Sequence, residues 1–145
     1  MVAWASFLAA YVCQLRRETR LTREYAERST MLGAEQGFTQ DLALGIALRG
    51  WAAVNENRIE EGIAQIREGM TLWRAKGGKL NWTWFCVLLA EACRQAGRID
   101  EGLSAIAEAL DVSQETGERV FAAEVYRLKG TLVLQSTVHS PQKIV

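Results

Sequence analysis

The sequence predicts an all-α fold, an α-solenoid of about seven antiparallel helices in helix–turn–helix repeats of roughly 40 residues. Three observations carry this. Sliding the chain by 40 residues lays Arg58-Ile59-Glu60-Glu61-Gly62-Ile63 over Arg98-Ile99-Asp100-Glu101-Gly102-Leu103. The match runs on through Ile66/Ile106, Glu68/Glu108 and Met70/Leu110, and back through Leu48/Leu88, Ala52/Ala92 and Ala53/Cys93. Gly37, Gly77 and Gly117 fall on the same ruler, and the one proline, Pro141, lies near the end of a chain rich in helix formers.

The elements follow in order. Trp4–Leu15 and Glu18–Gln36 form an early, diverged copy, in which Cys13 takes the place of Ala53 and Cys93. Ala43–Glu56 carries small and apolar residues at helical spacing, and Asn57, matched by Gly97, ends it because both tolerate the left-handed conformation. The next helix starts near Ile59, with Glu60 and Glu61 in the first turn where the helix dipole favours them. Its inward stripe is Ile59, Ile63, Ile66, Met70 and Trp73, and Gly77 stops it. Trp82–Gln95 and Ile99–Thr116 repeat the pair, with the stripe Ile99, Leu103, Ile106 and Leu110. A third copy opens at Arg119 and sets Gly130 where Gly50 and Ala90 stand. One domain over residues 1–136 results, with repeats at about 2–37, 42–77 and 82–117 and a half repeat at 119–136. Residues 137–145 read as an irregular tail in which Pro141 breaks any helix.

Within the unit, Gly50 or Ala90, Gly62 or Gly102, and Gly69 or Ala109 are small where two helices must approach closely. This is a degenerate tetratricopeptide pattern, longer than the ~34 residues of the standard unit and without its closing proline.

Composition narrows the function. Seventeen basic and 17 acidic residues cancel, so no basic field exists to attract nucleic acid or an anionic membrane. Cys13, Cys86 and Cys93 form no CxxC pair, and an odd count suits a reducing, cytoplasmic setting. The apolar segment Met1–Cys13 is too short for a membrane span, and Arg16 and Arg17 follow it where a signal peptide would place charge before. No GxxxxGK[ST] loop or GxGxxG is present. The one histidine, His139, lies in the expected tail, away from any triad. Cys86 and Cys93 lie seven residues apart on one helix face, too far for a shared zinc without other ligands, and read as core. The pairs Glu60/Glu61 and Asp100/Glu101 recur at equal positions, as helix starts do and an acid–base dyad does not. The expectation is therefore no catalytic residues, no metal and no cofactor.

A partner surface is expected on the concave side, lined by the first helix of each pair. Register turns Leu44, Ala47, Trp51, Val54 and Asn55 outward in one unit. Trp84, Val87, Glu91, Arg94 and Gln95 face outward in the next, then Glu124, Arg127 and Thr131, with Trp4, Phe7 and Tyr11 in the early copy. The candidate contact residues are Trp51, Asn55, Trp84, Glu91, Arg94, Gln95, Glu124 and Arg127, a set with the aromatic and arginine content of interfaces. The competing expectations are that Trp51 and Trp84 pack between repeats and that Glu91, Arg94, Glu124 and Arg127 form a salt-bridge ladder between adjacent helices. At the chain's ends, Trp4, Phe7, Leu8, Tyr11 and Val12, and again Val125, Tyr126, Leu128, Leu132, Val133 and Leu134, give apolar helices no polar cap. The partner is then a protein, flanking domains of a larger chain, or a second copy meeting these ends. The alternative function is a small-molecule sensor with its pocket near Trp51, Trp84 and Arg94.

A family resemblance points the same way. Ala34-Glu35-Gln36-Gly37-Phe38, Leu48-Arg49-Gly50-Trp51-Ala52, Glu61-Gly62-Ile63-Ala64-Gln65 and Trp73-Arg74-Ala75 are the first motifs that carry it. They are followed by Leu89-Ala90-Glu91-Ala92, Glu101-Gly102-Leu103, Thr116-Gly117-Glu118-Arg119 and Ala123-Glu124-Val125-Tyr126-Arg127-Leu128-Lys129-Gly130. From about Leu15 to Gln135 the chain resembles the C-terminal tetratricopeptide region of large bacterial predicted ATPases, many with an adenylate or guanylate cyclase domain at the N-terminus. The resemblance implies a regulatory or scaffolding segment, with nucleotide chemistry in upstream domains. It also implies a fragment or truncated relative, since the array in that family continues past the third helix pair.

Overall fold

The structure is a computed structural model that describes residues 2–139. Among them are seven α-helices and no strand: α1 (Val2–Leu15), α2 (Thr19–Gln36), α3 (Thr39–Asn55), α4 (Ile59–Ala75), α5 (Trp82–Gln95), α6 (Ile99–Thr116) and α7 (Ala122–His139). None is long and apolar enough to cross a membrane. The all-α expectation holds, with most boundaries within a residue or two. Two differ. α3 starts four residues before Ala43, because Thr39, Gln40 and Asp41 form a polar first turn that hydrophobic spacing does not reveal, with the Leu42 N–H bonded to the Phe38 carbonyl at 3.0 Å. α7 runs through His139, so residues 137–139 are helical and His139 is not in an irregular tail. Pro141 lies outside the described residues.

The turns keep a stricter beat than the sequence suggests. Arg17, Gly37, Asn57, Gly77, Gly97 and Gly117 all have φ between 62° and 73°, one left-handed residue every 20 positions. Each stands just after a helix, where that conformation lets the next N–H reach back to the last turn. Thus Glu18, Arg58 and Arg98 donate to the carbonyls of Cys13, Ala53 and Cys93, each at 2.9 Å. These three acceptors are the positions aligned by the 40-residue shift, so the repeat register is also a hydrogen-bond register.

The chain forms two compact units, Met1–Lys79 and Leu80–Val145, described separately. In the first, consecutive helices run antiparallel. Ala43 and Ala47 of α3 meet Gly69 of α4, whereas Gly50 and Val54 meet Gly62. Ala26 and Thr30 of α2 approach Gly45, and Gly33 approaches Leu42. Ser29 of α2 donates to the carbonyl of Ala3 in α1 at 3.2 Å. α3 packs on α1, α2 and α4, which explains why almost every residue from Ala43 to Val54 is buried. The α4 stripe is inward as expected: Ile63, Ile66, Met70 and Trp73 are buried, and Ile59 is half-buried. Each such aliphatic side chain contributes about 1.5–3 kcal/mol.

In the second unit, Ala90 of α5 faces Gly102 of α6, and the Trp82 Nε1–H donates to Glu108 Oε1 at 2.9 Å, again an antiparallel pair. α7 returns along α6, with Leu132 against Gly102, and also packs on α5, where Gln135 Nε2 donates to the Arg94 carbonyl at 3.4 Å. Ile106, Val125, Leu128 and Leu132 are its largest fully buried side chains on α6 and α7.

Candidate functional site

The structure divides the expected contact residues between the units and buries several of them. In the first unit, Trp51 is 1% exposed and its Nε1 has no hydrogen-bond partner among the described residues. Asn55 is exposed, but its Nδ2 donates to the Trp51 carbonyl at 2.9 Å. In the second unit, Trp84 is 2% exposed and meets Phe85 edge-on, their centroids 5.0 Å apart. Glu91 is 5% exposed, and Arg94 and Gln95 are half-buried.

The outward placement expected of Leu44, Ala47, Trp51, Val54, Trp84, Val87 and Glu91 is therefore corrected, since all seven are buried. Helical spacing assumes one buried face. α3 instead has neighbours on three sides, and α5 is buried from Trp82 to Cys93.

Glu91, Glu124 and Arg127 do come together. Glu124 and Arg127, one turn apart on α7, form a two-pronged ion pair, Nε to Oε2 at 2.8 Å and Nη2 to Oε1 at 2.6 Å. The Glu124 hydrogen bonds hold the Arg127 guanidinium above its usual range, opposed by its partial burial, with the Glu91 charge on α5 adding to the rise. The Glu124–Arg127 pair lies within one helix.

Both expected apolar ends are present, in reduced form. On α1, Trp4, Leu8 and Val12 are exposed, while Phe7 is buried between Trp4 and Tyr11, with ring centroids at 5.1 and 5.9 Å. On α7, Val125, Leu128 and Leu132 face inward, leaving Tyr126, Val133, Leu134 and Val138 exposed. Gly130 lies in this exposed stripe, and a Cβ built on it would meet nothing within 4 Å among the described residues.

The same positions on earlier helices are covered. Stepping back 80 residues, Tyr126, Gly130, Val133 and Leu134 become Ile46, Gly50, Ala53 and Val54, all buried. There α4 lies so close that a Cβ on Gly50 would fall 2.6 Å from the Gly62 carbonyl oxygen. Stepping back 40 residues gives Cys86, Ala90, Cys93 and Arg94, of which the first three are fully buried, with Ala90 facing Gly102 of α6. The exposed stripe of α7 is thus the face that a following helix covers on α3 and α5. The sequence signal for it was Gly130, small at a register position that has no neighbour among the described residues.

Fold and surface together define an all-α protein of antiparallel helix pairs with an open helix-packing face. The chain is similar to an uncharacterized protein of Rhizobium meliloti (strain 1021), 26% identical over 83 residues, which are 57% of this chain and 8% of that protein. The match spans a small part of a much longer relative. No protein-family model matches the chain. No solved structure matches it either. Among the described residues no group of three or more His, Cys, Asp or Glu is placed to hold a metal ion.

Proposed function

We propose that the chain is a non-catalytic, tetratricopeptide-like α-solenoid module that binds protein by accepting a partner helix on the exposed face of α7. The single observation that carries this is the contrast between Gly50, packed against Gly62, and Gly130, which among the described residues has open space at the equivalent position. The occupant that fits is an antiparallel helix with glycine or alanine at the contact and apolar residues one turn away, as α4 presents with Gly62 and Ile66. Apolar burial drives such docking, and close backbone approach makes it selective. The long bacterial relative supports a role inside a larger protein, and the resemblance to ATPase and cyclase fusions is the ground for reading that larger protein as a cytoplasmic signalling protein.

The test uses the whole chain and a stapled peptide of α4, residues Ile59–Ala75, because a free helix of this length is marginal in water. Saturable binding is expected, and it is lost in Leu134→Asp, a change at a 68% exposed position that leaves the fold intact by circular dichroism. Absence of binding, or binding indifferent to Leu134→Asp, overturns the proposal.

The small-molecule reading gains an observation of its own. A cleft of about 220 Å³ lined by Thr83, Ser113, Arg119 and Tyr126 lies within the second unit, away from Arg94.

A further inference from the structure

The α3–α4 contact is close to a two-fold crossing. A Cβ on Gly50 would meet the Gly62 carbonyl oxygen at 2.6 Å and Ile66 Cγ1 at 2.9 Å, and one on Gly62 would meet the Gly50 carbonyl oxygen at 2.5 Å and Val54 Cγ2. Each helix offers a glycine and an aliphatic side chain four residues later, and receives the same from the other. α7 carries this combination in Gly130 and Leu134, at the register positions of Gly50 and Val54. A helix so equipped can take either side of such a crossing. Resting on the reading of α7 as a face that accepts a helix, we propose that it pairs with α7 of a second copy of this chain, antiparallel, with the two Gly130 residues at the crossing.

Shape and charge both favour this occupant. Tyr126 and Leu134, exposed at 62% and 68%, flank Gly130 one turn away on either side, so the stripe has bulk around a gap that only close backbone approach fills. Charge is confined to one half of the helix: Glu124, Arg127 and Lys129 precede Gly130, and Thr131 to Val138 carries none. An antiparallel second copy sets the charged half of each helix on the neutral half of the other and opposes the two helix dipoles. A parallel one brings Arg127 to Arg127 and Lys129 to Lys129, at a Coulomb cost. Glu124 and Arg127 also satisfy one another within their own helix, so this pair needs no counter-charge from the second copy.

Area sets the strength. One helix pair is a small interface, below the ~1,200 Å² of stable complexes, so the dimer is weak and reversible, with a Kd between roughly 10 μM and 1 mM.

Sedimentation equilibrium of the full chain, up to about 1 mM, tests this, and the mass is expected to rise from one chain toward two. Gly130→Leu is the decisive variant, because it adds apolar surface at an exposed helical position without disturbing the single chain. A merely adhesive face would then associate more strongly, whereas the proposed crossing is expected to weaken roughly tenfold or more. Orientation is read by NMR. A nitroxide on exposed Ala123→Cys, in a Cys13→Ser chain whose other two cysteines are buried, is mixed with isotope-labelled parent chain. It is expected to broaden amides near Thr137 of the labelled chain and to spare those near Ala123. A mass of one chain throughout, association retained in Gly130→Leu, or broadening centred on Ala123 overturns the inference. The α4 peptide separates the two readings: binding to a chain that stays single defeats this inference alone. A dimer with these signatures that ignores the peptide defeats the α4-like occupant alone.

Discussion

Gly50 and Gly62 face one another across the α3–α4 contact with no room for a side chain on either. A Cβ on Gly50 would lie 2.6 Å from the Gly62 carbonyl oxygen, and one on Gly62 would lie 2.5 Å from that of Gly50. Backbone meets backbone, so neither partner yields as a flexible side chain would. Gly50→Ala must push α4 off α3, and a loss of about 1–3 kcal/mol is expected, as for other overpacked cores. Gly130→Ala has the opposite sign: it fills open space and removes the entropic penalty of helical glycine, for a gain of about 0.5–1 kcal/mol. Urea denaturation of the two variants beside the parent chain checks both. A destabilised Gly130→Ala would mean that the α7 face is already covered.

The Trp82–Glu108 hydrogen bond ties the start of α5 to the later turns of α6 at 2.9 Å. Trp82 is 4% exposed, so Trp82→Phe retains most of the apolar body and leaves Glu108 without this donor. A loss of about 1–3 kcal/mol is expected. A double-mutant cycle with Glu108→Ala, which removes the acceptor, isolates the pair, and a coupling energy near zero would show that the bond contributes nothing.

The thiols differ in access. Cys86 and Cys93 are fully buried, while Cys13 is half-buried and free. Burial pushes the Cys13 thiol above its ordinary value, and the Glu18 charge adds to the rise against a smaller pull from Arg16. A raised value leaves less thiolate near neutral pH, so the native chain is expected to react at Cys13 alone, more slowly than a free thiol does. The rate should climb with pH beyond the point where a free thiol levels off. Ellman's reagent measures this, and rapid modification of all three cysteines without urea would contradict the packing of α5.

Much of the fold was legible because two signals agreed. Apolar spacing located α4 and α6, and the residues that close their turns, Gly77 and Gly117, are among those the backbone places at positive φ. Arg17 was not legible as a turn residue, since its φ of 62° costs about 1–2 kcal/mol that its side chain does nothing to announce. The candidate surface was harder. A stripe of residues on α3 looks outward when the helix is considered alone, yet α3 packs on α1, α2 and α4 and Trp51 is 1% exposed. The Thr83 cleft left no trace in the sequence either, since it is assembled from the start of α5, the end of α6 and the start of α7. Gly130 is the exception, readable because the repeat had already shown what glycine does at that position.

The beat of left-handed residues, one every 20 positions from Arg17 to Gly117, makes the length of this chain a quantised variable. Inserting or deleting 40 residues returns every stop to an equivalent place, and a change of 20 exchanges one kind of helix for the other. A change of any other length inside a helix rotates the residues that follow it in that helix away from their neighbour, whereas one in a turn only lengthens the connection. A whole helix pair is therefore the unit of length that leaves both the stops and the packing register undisturbed.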